Sequence, residues 1–158
     1  MMRILSIILA VLLIIVDQWS KSLILSNPAI SQLTSIEVTS FFNLVLLFNQ
    51  GVSFGMFAQQ NQPLLLVGLS VVIMLILFVW LLRNKVPIIA LAIGGILGGA
   101  TGNVIDRVRY GAVVDFLDFH INELHYPAFN LADSFVFIGV AILVSHNIFF
   151  DKKQDIKT

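Results

Sequence analysis

Four aspartates, Asp106, Asp115, Asp118 and Asp133, are the residues of this chain whose type and setting best suit chemistry. Asp133 opens a run of seventeen residues without formal charge, Ser134 to Phe150. A carboxylate at the mouth of such a run must be hydrated, paired, protonated or used, because leaving it bare in an apolar setting is costly. Two aspartates that share one site cannot both ionise cheaply. One keeps a proton while the other acts as a base toward water, and peptide hydrolysis needs such an acid/base pair. Spacing alone does not say which two of the four would pair. Asp106 adjoins Arg107, which offers it an ion pair, and Asp118 reads as a solvated surface acid.

The other reactive groups fit bland roles better. Asp17 and Lys21 stand four apart, share a helix face and read as a structural ion pair inside a bundle. A Ser20–Lys21 or Ser22–Lys21 dyad is set aside, since a lysine base needs a depressed pKa and the neighbouring carboxylate raises it. The three histidines form no HExxH pair. His120 and His125, in "HINELH", read as lone polar residues of a loop, and His146 follows Asp133 by thirteen residues, roughly 20 Å along a helix. Neither a metal hydrolase nor a Ser-His-Asp triad is expected, and no cofactor is needed. The chain has no cysteine, so disulfides, thiol nucleophiles and cysteine metal sites are excluded.

The elements that must position these acids lie in a membrane. The 158 residues are 58% apolar and 11% charged, with mean hydropathy +0.97, whereas soluble domains carry about 25% charged residues. A formal net charge of zero gives no reason to expect nucleic acid as a partner. Four stretches are long enough to cross a bilayer at roughly 20 residues each: about 4–25, 64–82, 86–105 and 129–150. The expected fold is an all-α membrane protein, a single integral domain of four transmembrane helices with a small extracytoplasmic β-rich loop region. The first stretch is expected to be retained and not cleaved as a signal peptide, since no small-x-small site follows it and it carries Asp17 and Lys21.

Arg3, Arg83, Lys85, Lys152, Lys153 and Lys157 fall on one side if the helices alternate. The positive-inside rule then makes both termini cytoplasmic, and loops at about 26–63 and 107–128 face outward with the acids. The first loop contains "IEVTSFFNLVLLFNQGVSFGMF", rich in β-branched and aromatic residues, and reads as short strands with a Gln50-Gly51 turn. The tract after Gly111, "AVVDFLDFHI", reads as extended or irregular. In the third stretch "GGILGGATG" offers small residues four apart, a helix-packing face on which Gly95, Gly99, Gly102 or Asn103, and Asp106 follow one stripe.

On these features alone a proton-coupled carrier stands ahead of an aspartic protease, since intramembrane acids commonly mark ion pathways. A carrier also predicts acids near mid-bilayer, broken helices and often repeated halves. Here the acids gather on one side and no repeat is visible. A scaffold whose polar residues only lock helices together would tolerate change at Asp115 but not at Asp17 or Lys21.

Five blocks in order add a resemblance that covers nearly the whole chain: "DQWSK" at 17–21, "NQGVSF" at 49–54, "GGATGNVIDR" at 98–107, "VVDF" at 113–116 and "FNLADS" at 129–134. Together they resemble the lipoprotein signal peptidase family, also called signal peptidase II. The resemblance implies that Asp115 and Asp133 are the catalytic pair. It implies supporting roles for Asp17, Lys21, Asn49, Gly51, Asn103, Asp106, Arg107, Asn130 and Ala132. It further implies a bacterial inner-membrane aspartic endopeptidase that works near the outer face. Its substrates would be prolipoproteins, cut before a diacylglyceryl-modified cysteine. Globomycin-type cyclic peptides would inhibit it, membrane lipid would surround it, and a monomer is expected.

Overall fold

The computed structural model describes residues 1–32, 34–51 and 63–150. Residues 52–57 of the expected strand-rich loop, the end of the "NQGVSF" block, and Lys152, Lys153 and Lys157 of the orientation argument lie outside the described residues. Four helices are long and apolar enough to span a membrane: α1 (Met2–Ser26), α2 (Pro63–Arg83), α3 (Pro87–Tyr110) and α4 (Leu131–Phe150). Between them lie strands β1 (Ile36–Thr39), β2 (Phe42–Asn49), β3 (Val113–Ile121) and β4 (Leu124–His125).

Helix α3 is the central one. Half of its most apolar window is buried, against 6–11% in the other three. Its sequence explains why. Gly94 and Gly98 lie against the backbone of α1, where an added Cβ would come within 2.6 Å of the Ser6 carbonyl oxygen and 2.9 Å of that of Ala10. Gly99 meets the Ala132 carbonyl of α4 in the same way, and Gly102 meets the Asp17 carboxylate. The glycines therefore serve two neighbours, with Gly94 and Gly98 toward α1 and Gly99 toward α4. Without a hydrophobic effect between helices in lipid, such close backbone approach is the main source of association. On its remaining side α3 holds α2 through an apolar cluster of Leu81, Ala90 and Ile93, to which Leu77, Ile89 and Leu97 add.

Pro87 starts α3, where its missing N–H is no loss, and Gly111 ends it at φ 70 with its N–H donating to the Arg107 carbonyl. The helix thus runs five residues past the expected end at 105 and carries both Asp106 and Arg107. Asp106 is thereby held on a helical turn and is itself buried.

The strands form one antiparallel sheet in the order β1-β2-β3-β4. The tract expected to be extended or irregular is a regular nine-residue strand, β3. It pairs with β2 in a register that sets Leu47 opposite Asp115 and Phe42 opposite Phe119, with an irregularity between Leu44 and Leu47. The β1–β2 turn falls at Ser40-Phe41, and Gln50-Gly51 instead closes the end of β2. The β3–β4 turn places Asn122 at φ 51, a left-handed conformation that asparagine tolerates. Ile24, Ile30 and Phe116, with Ile36, Leu44, Leu46 and Leu131, seat the sheet on the end of α1 and the start of α4.

Candidate active site

The sheet-bearing end of the bundle holds a buried ionic layer. Lys21 is 2% exposed, and its ammonium reaches Asp17 Oδ2 at 2.9 Å, Asp106 Oδ2 at 2.7 Å and Asn103 Oδ1 at 3.1 Å. Three acceptors match the three hydrogens of the ammonium, which leaves none for another task. Asp17 Oδ1 accepts the Ala132 N–H at 3.0 Å, so a carboxylate of α1 sits on the positive end of α4. Asp106 Oδ2 also accepts the Val114 N–H at 3.2 Å. One lysine and two acids thereby fasten α1, α3, α4 and β3 together. The Asp17–Lys21 pair is present as expected, but within a triad. Asp106 pairs with Lys21 and not with Arg107, because their positions on α3 turn Asp106 into the bundle.

Asp115 and Asp133 are gathered around Asn130. Asp115 is 3% exposed. Its Oδ1 accepts from Asn130 Nδ2 at 2.7 Å and its Oδ2 from Asn49 Nδ2 at 2.9 Å. Asp133 Oδ1 accepts from Asn103 Nδ2 at 2.8 Å. Asp133 and Asn130 also close a reciprocal cap: the Asp133 N–H donates to Asn130 Oδ1 at 2.9 Å, and the Asn130 N–H donates to Asp133 Oδ2 at 3.3 Å. The same Asn130 amide reaches Asn103 Oδ1 at 3.2 Å. One side chain therefore touches Asp115 and positions Asp133.

Electrostatics follow from this enclosure. Burial pushes the Asp115 carboxyl up to about 6, and the charge of Asp133 adds to that rise. The Asn49 and Asn130 amides and the charge of Lys21 oppose it by favouring the carboxylate. Such a carboxyl exchanges a proton near neutral pH, as a general acid or base must.

Gly51, Arg107 and Ala132, also named from the sequence, adjoin these two groups of acids. Gly51 is buried and donates its N–H to Asn49 Oδ1 at 3.0 Å, which orients the amide that faces Asp115. Arg107 donates to the carbonyls of Gly51 at 3.3 Å and Asn103 at 3.4 Å. It thus spans from α3 to the end of β2. Ala132 is fully buried, and its carbonyl lies where a side chain on Gly99 would have to go. From Asp133 a groove of about 640 Å³ runs beside Ser134, Val136, Phe137 and Ile138, with Tyr126 to Phe129 on its rim. Phe137 and Ile138 are exposed apolar side chains, so the groove opens toward the surface that lipid would cover.

Two features escaped the sequence. Gln18 Nε2 donates to Asp106 Oδ1 at 2.9 Å and lies 3.2 Å from Asp17 Oδ2, so it ties the two acids of the triad. Its place three residues before Lys21, on the same helix face, was the available signal. Asp118 is not a solvated surface acid. It is buried, accepts from Asn43 Nδ2 at 3.1 Å and meets His125 Nδ1 at 2.9 Å, because β3 turns it to the face shared with β2 and β4. Likewise His120 and His125 are not lone loop residues but paired partners across strands. Among the described residues no group of three or more His, Cys, Asp or Glu is arranged to hold a metal ion.

Known proteins resemble this chain in sequence and in fold. Residues 9–149 match the family described as Signal peptidase (SPase) II. A lipoprotein signal peptidase of Francisella tularensis subsp. novicida is 38% identical over 154 residues, 93% of either chain. One from Aeromonas hydrophila is 41% identical over 152 residues, covering 94% of this chain and 90% of that one. A solved structure described as a bacterial membrane enzyme, obtained by the in meso method at 2.3 Å, superposes with a TM-score of 0.80 at 32% identity, covering 97% of this chain and 91% of that one. Matched over nearly its whole length in both sequence and fold, the chain belongs to the signal peptidase II family of bacterial membrane peptidases.

Proposed function

We propose that this protein is an intramembrane aspartic endopeptidase that removes signal peptides from diacylglyceryl-modified prolipoproteins, with Asp115 and Asp133 as its catalytic pair. The observation that carries the assignment is the single amide of Asn130, which holds Asp115 at 2.7 Å while its residue caps the helix of Asp133. Among the described residues the other buried acids are engaged elsewhere: Asp17 and Asp106 share Lys21, and Asp118 meets His125. The curated relatives are lipoprotein signal peptidases, which supports the substrate class.

In this reading the pair holds one proton. The ionised member takes a proton from the attacking water as its oxygen bonds to the scissile carbonyl carbon. The protonated member hydrogen-bonds the carbonyl oxygen and stabilises the tetrahedral intermediate. Collapse then breaks the C–N bond, and a proton passes to the leaving amine of the lipidated cysteine. Asn49, Asn103 and Asn130 keep the carboxylates fixed, so that little reorganisation is needed at the moment of reaction. The apolar groove below Asp133 admits the substrate sideways from lipid. The sheet-bearing end faces outward from the inner membrane, both termini are cytoplasmic, and the enzyme works as a monomer.

The test is cleavage of a diacylglyceryl-modified prolipoprotein by purified protein in detergent. Wild type is expected to cut before the modified cysteine. Asp115→Asn and Asp133→Asn, confirmed folded by thermal melting, are expected to fall by at least about 10³-fold, as for loss of an acid/base group together with its charge. Near-normal activity in a folded Asp115→Asn variant refutes the pairing. Inhibition by a globomycin-type cyclic peptide, and its loss of affinity in the same variants, reports on the same site.

A further inference from the structure

The end of the bundle opposite the sheet carries a cavity that peptide cleavage leaves unused. It lies where the start of α1 meets the short turn between α2 and α3. Its volume is about 230 Å³, and Met1, Met2, Arg3, Asn84, Lys85 and Ala90 line it. The polar side chains among these are all left as donors. Asn84 Oδ1 accepts the Val86 N–H at 2.7 Å, so the amide Nδ2 is the end that remains to donate. The Arg3 guanidinium and the Lys85 ammonium make no ion pair among the described residues. The described acids, from Asp17 to Asp133, all lie toward the sheet-bearing end. Two cations and an amide thus share one cavity without an acceptor.

We infer that Arg3, Asn84 and Lys85 form a binding site for the phosphodiester of an anionic membrane phospholipid. The level is right. Helix α2 is apolar as far as Leu82, and α3 follows from Pro87. Asn84 and Lys85 therefore stand at the headgroup layer of a bilayer that these helices cross. Basic pockets between transmembrane helices bind anionic head groups. Arginine offers a planar fork for two phosphate oxygens, lysine a compact charge, and the amide one directional contact. The N-terminus of α3 adds the positive end of its dipole.

Two features select the lipid. A zwitterionic head group brings its own cation to a site that already holds two, whereas an anionic one brings only the charge that is missing. Ile4, Val86 and Ile88, next in sequence to the cationic residues or one turn on, are exposed apolar side chains along which acyl chains can lie. Free phosphate has no use for that surface. A bound head group would clip α1 to the α2–α3 turn, at the end away from Asp115 and Asp133.

The test is native mass spectrometry of full-length protein in detergent, with equal amounts of phosphatidylglycerol and phosphatidylcholine of the same acyl chains. Wild type is expected to retain one phosphatidylglycerol per chain, preferred about ten-fold or more, as two cations beside an anionic head group provide. Arg3→Gln/Lys85→Gln should lose the preference, while Arg83→Gln, at the same end but outside the cavity, should keep it. Asn84→Asp keeps the oxygen that holds the Val86 N–H but turns the donor into a like charge, so it too should lose the preference. Melting curves check that each variant is folded. No preference in wild type, or an unchanged one in the double variant or in Asn84→Asp, overturns the site. A loss in Arg83→Gln as large as in the double variant overturns it as well, since general surface charge then suffices. Inorganic phosphate in large excess should leave the lipid bound, and its displacement overturns the lipid assignment in favour of a plain phosphate site.

Discussion

Asn130 donates its side-chain amide to Asp115 at 2.7 Å, and its Oδ1 caps the very turn from which Asp133 projects. The two duties separate by substitution. Asn130→Ser keeps a capping oxygen but loses the amide, so its melting temperature should stay close to wild type while turnover drops at least ten-fold. Asn130→Ala should also lose about 1 kcal/mol of stability with the cap. Full turnover in a folded Asn130→Ser variant would reduce Asn130 to a helix cap.

The pH profile of kcat/KM should carry the mark of Asp115. In the proposed mechanism the free pair works with one proton, and the raised Asp115 carboxyl gives it up near pH 6. An alkaline limb is therefore expected close to that value. Asn49 stabilises the ionised form through its 2.9 Å hydrogen bond. Asn49→Leu should accordingly raise the Asp115 value and move the limb to higher pH. A limb that stays put, or moves down, contradicts the assignment of that limb to Asp115.

Stability should depend on pH through the same group. The folded value lies above the ordinary 3.8. Folding therefore favours the protonated form, and the contribution is fully present below pH 3.8 and lost as pH rises through about 6. At pH 8 ionised Asp115 costs the fold on the order of 3 kcal/mol relative to acid conditions. Melting curves between pH 4 and 8 should show wild type losing stability relative to Asp115→Asn over that window, with little further change above it. A difference that is flat across the window removes this argument.

Lys21 should be the most damaging single substitution of the buried layer. Lys21→Met leaves Asp17 and Asp106 without their cation, and breaking a buried pair in this way costs about 3–5 kcal/mol. Adding Asp106→Asn should recover part of that loss, because one of the two stranded charges is gone. Chemical unfolding in detergent gives both numbers. Equal stability of the single and double variants would mean that the carboxylates are relieved by another route, such as water.

Much of this was legible in the residues. Apolar length marked all four helices, and the small residues of "GGILGGATG" marked the helix that others would approach. Where Asp106 pairs was not legible, since adjacency in sequence favours Arg107 and helical phase decides for Lys21. The reach of α3 past Ile105 was missed because charged residues there look like a membrane exit, although a helix continues beyond the apolar run until Gly111 stops it. The β3 register, which buries Asp115 and Asp118 and pairs His120 with His125, comes from long-range strand pairing that no local pattern reports. The convergence of Asp115 with Asp133 was open on spacing alone, and only the resemblance to a family singled it out.

The carboxylate of Asp17 on the Ala132 N–H has a consequence for how the enzyme comes into being. The chain is synthesised from α1 onward, yet α1 and α3 hold only braces, while β3 and α4 bring Asp115 and Asp133 last. With the catalytic pair as proposed, a growing chain with three helices inserted has no cutting edge. Proteolytic competence would then be born when the fourth helix docks its N-terminus onto a charge laid down by the first, so the membrane would receive a finished protease and never an unguarded half.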